Sequence, residues 1–177
     1  MGKYNFESNS GDYLTPETIY APLLKEIGRN EFDCDVCCSA DNIPAIARFK
    51  LDGFYIYGNK VGEVDGLRGG WSPINWLNPP FKECAKWVKK ASQEQLKGNT
   101  TYAILPVRTE TAYWSKYILD EKGGTNRPDV EVRFLRKGLK FLAPDGKEMD
   151  VFKNPLAIVI FKGKQKGDAE KCHQEDI

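Results

Sequence analysis

Apolar positions along this chain fall into short runs whose spacing switches repeatedly between that of helices and that of strands. Thr15-Pro16-Glu17 has the marks of a helix start, with a hydroxyl to cap, proline at the first helical position and an acid in the first turn, and Gly28 closes the segment. "NEFDCDVCC" and "FYIYG" then read as short strands, and residues 39–50 as helix or loop. A glycine-rich loop over 61–72 leads into a third strand, "PINWL", that ends at two consecutive prolines. Phe81, Cys84, Ala85, Val88 and Ala91 repeat at helical spacing, lysines occupy the other faces, and Gly98 ends the helix. "TYAILP" reads as a buried strand, "ETAYWSKYILD" as a helix, and "VEVRFL", "LKFLA" and "PLAIVIF" as strands. Helices alternating with strands, followed by strands alone, favour an open α/β sheet with an antiparallel edge, whose ligands sit beyond the carboxyl ends of the strands. "DVCCSADN", "NPPFKE" and "PVRTET" are the loops that leave such ends.

Composition fits one domain. The chain has 177 residues, against about 100–200 per domain, with 41% hydrophobic and 12% aromatic positions. We place the domain over residues 1–163 and read 164–177 as a polar, partly disordered tail. No apolar run approaches the roughly 18 residues of a membrane span, and the amino-terminal residues lack the apolar stretch of a secretory signal, so a cytoplasmic protein is expected. Met1-Gly2 matches the opening of a myristoylation signal, but Glu7 lies close by and no second anchor follows. With a net charge of +1, contact with nucleic acid has to come from a local patch. Cys34 and Cys37 form a CxxC with Cys38 beside them; without a second pair at metal spacing we read them as packing residues at a strand end, not half a zinc site, and expect no metal.

The stretch Asn78-Pro79-Pro80-Phe81 carries the chemistry. A strand-to-helix turn accounts for one proline, since the missing N–H and fixed φ suit a first helical turn. It does not account for an amide, two prolines and an aromatic in that order. The prolines have no N–H to offer, so the turn presents carbonyl oxygens and the Asn78 amide oxygen as acceptors on a stiff frame beside an aromatic face. That suits a planar group bearing NH2, with two acceptors on its hydrogens and its ring against Phe81.

This tetrapeptide resembles the [DNS]-P-P-[YFW] motif of S-adenosylmethionine-dependent methyltransferases that modify exocyclic or amide nitrogens, a motif shared by adenine-, cytosine- and guanine-amine and protein-glutamine methylators. "DYLTP" before a helix, "FDCDVCC", "DGL" before a tryptophan, "NPPF" opening a helix, "ILPVRTETAYW" and "VRFLRKGLKF", in that order, together resemble the small phage-type DNA N-6-adenine methyltransferases, over about Asp12 to Phe161. The resemblance implies an open, mostly parallel Rossmann-like methyltransferase sheet with helices on both faces, S-adenosylmethionine as cofactor, DNA as partner, and a monomer or weak dimer in the cytoplasm of a bacterial host. Protein glutamine, RNA and cytosine remain alternative acceptors.

It also implies roles. Asn78, Pro79, Pro80 and Phe81 would be catalytic, Asn78 and the Pro79 carbonyl accepting hydrogen bonds from the adenine amine and Phe81 stacking on the base. Tyr13, Thr15, Pro16, Asp35, Cys37, Asp65 and Asn78 would hold the cofactor, although Asp65 reads equally as a turn aspartate before glycine. Phe81, Arg108, Thr109 and Arg136 would meet the substrate; Thr109 reads also as the cap of the next helix. The chain departs from the pattern at Val36, where proline is usual, at Cys37-Cys38, where small residues are usual, and in lacking a glycine-rich F-x-G-x-G loop. Arg133, Arg136, Lys137 and Lys140 would either bind phosphates or form a solvated face. Trp71, Trp76, Trp87 and Trp114 read as core, and the loops 61–72 and 121–129 as places where bases would be read.

Overall fold

The structure, a computed structural model, describes residues 13–122, 125–143 and 145–164. Its elements follow in the order α1 (Glu17–Glu26), β1 (Phe32–Asp35), β2 (Ala45–Lys50), β3 (Gly53–Ile56), β4 (Asn59–Gly62), β5 (Ile74–Leu77), a 3-10 turn (Phe81–Glu83), α2 (Cys84–Gln95), β6 (Thr100–Pro106), α3 (Ala112–Tyr117), β7 (Val130–Phe134), β8 (Lys140–Leu142), β9 (Glu148–Val151) and β10 (Leu156–Phe161). Eight strands form one sheet in the order β4-β3-β2-β1-β5-β6-β10-β7. The centre, β2-β1-β5-β6, is parallel. Both flanks are antiparallel: β3 and β4 on one side, and on the other β10, which lies between β6 and β7. An α/β sheet with an antiparallel carboxyl-terminal edge was expected; the β3–β4 edge was not.

Helices cover both faces. Trp87, Val88 and Ala91 of α2 and Trp114 of α3 pack with Cys34, Ala47, Leu77, Ala103 and Val159 on one side. Leu23 and Leu24 of α1 pack with Phe32, Trp76, Ile104 and Ile158 on the other. β10 reads "LAIVIF" because it is covered on both faces, and all six residues are buried. Burial of each large side chain there stabilises by about 1.5–3 kcal/mol.

Several sequence expectations need correcting. Residues 45–50, read as helix or loop, form β2: burial alternates along "AIARFK" with a period of two, but two of the three inward residues are alanines and the signal is weak. Part of the expected 61–72 loop is the end of β4. Pro16, not Thr15, occupies the N-cap position of α1, with no side-chain cap. The helix after the double proline starts as a 3-10 turn, and Thr111, not Thr109, is at the N-cap of α3. "LKFLA" does not join the main sheet; β8 pairs with the polar β9 in a separate two-stranded ribbon. Gly28 and Gly98 end α1 and α2 with positive φ, as the sequence suggests, and all four tryptophans are buried.

Candidate active site at the carboxyl ends of the strands

Asn78 follows β5, the middle of the parallel run, so its side chain leaves the sheet where parallel strands end. Its Nδ2 donates to the carbonyl oxygen of Tyr13 at 2.8 Å and lies 3.3 Å from Thr15 Oγ1. A carbonyl takes only donors, so this contact fixes which end of the amide faces the strap Tyr13–Pro16 and turns Oδ1 away from it. No donor among the described residues reaches Oδ1 or the Pro79 carbonyl oxygen. Two acceptors therefore stand unclaimed on one rigid turn. Thr15 is buried and its carbonyl accepts from Asn42 Nδ2 at 3.0 Å, so the strap is held by two asparagines from different loops.

Phe81 is half-buried in an aromatic group drawn from three segments. Its ring centroid lies 6.4 Å from that of Tyr13, 6.1 Å from Phe141 and 5.3 Å from Phe152. Phe141 belongs to β8 and Phe152 follows β9, so the ribbon forms a wall of the site; Leu14 and Leu142 exchange backbone hydrogen bonds of 2.9 Å and fasten it to the strap. The sequence gives no sign of this contact, because residues so far apart in the chain share no local pattern.

Asp35 ends β1, buried, in register with Trp76 of β5 two residues short of Asn78. Burial pushes its carboxyl up to about 7; the Cys37 N–H, which donates to Oδ1 at 3.3 Å, and nearby Arg48 offset part of that rise. Cys37 is half-buried, Cys34 and Cys38 buried, and burial raises all three thiols well above their usual range. Such thiols are poor nucleophiles and poor ligands, and no group of metal-ligating residues occurs among the described ones. Cys172 and His173 lie outside the described residues.

The remaining residues divide. The Asp65 carboxylate accepts from the N–H groups of Leu67 at 2.8 Å and Arg68 at 3.0 Å, the geometry of a turn aspartate, yet the turn itself lies against β1, where a Cβ on Gly66 would overlap the Val36 carbonyl oxygen. Arg108 and Thr109 are exposed beyond β6. Arg136 is exposed beyond β7 with Lys137, whereas Arg133 is bound to Glu26 and Glu131 and Lys140 to Glu148. The structure thus brings Tyr13, Thr15, Asn78 and Phe81 into direct contact and leaves Arg108, Thr109 and Arg136 on the same edge of the sheet. A cavity of about 640 Å³ between α1 and the segment 41–44 shares Asn42 with the strap but includes none of the expected site residues. No helix among the described residues is long and apolar enough to cross a membrane.

An α/β domain with an amide-proline-proline-aromatic turn at the carboxyl ends of its parallel strands is built to hold a ligand there. The family model described as DNA N-6-adenine-methyltransferase (Dam) matches residues 5–170, and the chain belongs to that family. Neither a curated protein nor a solved structure matches it.

Proposed function

We propose that the protein transfers a methyl group from S-adenosylmethionine to the exocyclic N6 amine of adenine in DNA. One observation carries the reading: the Asn78 amide is pinned through its nitrogen to Tyr13 and Thr15, which leaves Oδ1 and the Pro79 carbonyl without a donor among the described residues, on the same turn as Phe81. An adenine amine has two hydrogens to give and a ring to stack. Accepting both hydrogens directs the nitrogen lone pair out of the ring plane and stabilises the positive charge that grows on nitrogen as the N–C bond forms. When bound, S-adenosylmethionine supplies an electrophilic methyl on a sulfonium sulfur, which keeps the electron pair of the broken bond. The amine then loses one proton, through the acceptor pair or to water. Asp35, at the carboxyl end of β1, fits the cationic amino-acid end of that cofactor; the Tyr13 and Thr15 carbonyls already accept from Asn78 and Asn42, so the strap would shape the pocket for the cofactor by its backbone position. In duplex DNA the base must first leave the stack, at a cost of a few kcal/mol. The protein supplies position and charge, not a covalent intermediate.

An assay with tritiated methyl donor, offering DNA, RNA and protein separately, tests this. Label should enter DNA and be recovered as N6-methyladenine. Asn78→Ala should lose transfer by a factor of 100 or more, on the order expected for one preorganised polar group, and still bind the cofactor. Label confined to protein, or full activity in Asn78→Ala, refutes the assignment.

A further inference from the structure

We infer that the cleft between the β7–β8 turn and the segment leading into β10 holds backbone phosphates of the target DNA strand next to the extruded adenine; this rests on the function proposed above. The cleft, of about 200 Å³, carries Arg136, Lys137, Lys153 and the Asn154 amide, and no carboxylate lines it. Arg136, Lys137 and Lys153 are exposed, and none forms an ion pair with a described residue. Their neighbours in sequence behave otherwise: Arg133 and Lys140 are neutralised by Glu26, Glu131 and Glu148. In a chain of net charge +1 this is a local concentration of unspent positive charge, which the phosphate backbone of nucleic acid demands.

Position supports the occupant. Phe152 lines the cleft, and its ring centroid is 5.3 Å from that of Phe81, so one aromatic side chain separates the cations from the Asn-Pro-Pro-Phe turn. On the other side the Pro155 carbonyl accepts from Val107 N–H at 2.9 Å, which joins the cleft to the loop bearing exposed Arg108. A base in the acceptor pair would have its own strand run out over this edge, with Phe152 as the divider between base and backbone. The ribbon β8–β9 spans the two walls of the cleft and fixes their separation through the Phe152 N–H to Leu139 carbonyl bond of 2.8 Å. This assigns the strand-gripping role to the ribbon and its hinges.

The test is DNA affinity by fluorescence anisotropy as a function of salt, with cofactor affinity and methyl transfer read in parallel. Each phosphate contact contributes about 0.9 to the slope of log affinity against log salt on duplex DNA. Joint Arg136→Gln, Lys137→Gln and Lys153→Gln should make that slope shallower by about 1–3 and raise KM for DNA at least tenfold, with cofactor affinity unchanged. Charge-keeping Arg136→Lys, Lys137→Arg and Lys153→Arg should retain the slope, as should neutralisation of Lys60, Lys89 and Lys116 elsewhere on the surface. A wild-type slope in the cleft triple, or an equal loss in the distant triple, overturns the inference even if the wild-type protein methylates DNA. Absence of label in DNA with wild-type protein would instead refute the function itself, whatever the slopes.

Discussion

Replacing Asp35 by Asn separates the two duties of a buried carboxyl, because the amide keeps the shape and removes the charge. In the free protein Asp35 is buried and its carboxyl is raised from 3.8 to about 7, chiefly by burial. A carboxyl whose folded pKa lies above its unfolded one stabilises the fold fully below the unfolded value, and that stability is lost as pH rises through the folded value. The window therefore runs from about pH 4 to pH 7. A shift of about three units corresponds to about 4 kcal/mol between its ends. Unfolding by urea across pH 4–9 should show wild-type protein losing stability on the order of that amount towards pH 8, whereas Asp35→Asn should lose much less and be the more stable of the two at pH 8. Calorimetry should show the opposite for S-adenosylmethionine: affinity weakened at least tenfold by the substitution, and in wild-type protein a proton released on binding near pH 7 as the cationic ligand draws the carboxyl into its ionised form. Parallel stability curves for the two proteins would refute the buried-charge reasoning. Unaltered cofactor affinity would remove Asp35 from the site while leaving its effect on stability intact.

Two further predictions concern the frame. Gly66→Ala would drive a Cβ into the Val36 carbonyl oxygen and should destabilise by about 1–3 kcal/mol in denaturant titration; wild-type stability would show that the turn does not rest on β1 as described. Glu94 is fully buried and bound to Lys90, Lys97 and Asn99; burial pushes its carboxyl up, but these three partners together hold it below its usual range. Its stabilising effect is present above pH of about 4 and fades as pH falls through its lowered value, and Glu94→Ala, which strands Lys90, should cost about 3–5 kcal/mol at neutral pH. A loss under 1 kcal/mol would contradict the buried network.

What could be read from sequence was local. The helix of α2, the strands β5, β6 and β10 and the acceptor turn each carry their signal within a dozen residues, and each was legible. β2 was not, because Ala45 and Ala47 bury little and do not distinguish strand from helix. β9, "EMDV", alternates polar and apolar residues over only four positions, three of them exposed, too short a signal to mark a strand without β8 beside it. The same limit applies at the candidate site: the motif singles out Asn78, but Tyr13 and Thr15 as holders of its amide lie 65 and 63 residues away, and Phe141 and Phe152 as neighbours of Phe81 come from a ribbon whose placement no spacing reveals. Thr15 illustrates the ambiguity, since a hydroxyl before Pro-Glu reads as a helix cap and is instead a contact of the amide it faces.

The bond pair between Leu14 and Leu142 makes one wall of the candidate site depend on a contact between the two ends of the domain. The strap is synthesised near the start of the chain, yet its partners arrive in reverse order of convenience: first Asn42, then Asn78, and last the ribbon that clasps it. Closing so long a loop is entropically costly and slow relative to the helices, and β10, which lies between β6 and β7, also follows residue 142, so the strap, the ribbon and the far half of the sheet all wait on the same late segment. A chain cut before residue 142 would keep the Asn-Pro-Pro-Phe turn but lose both the clasp on the strap and β10 of the sheet.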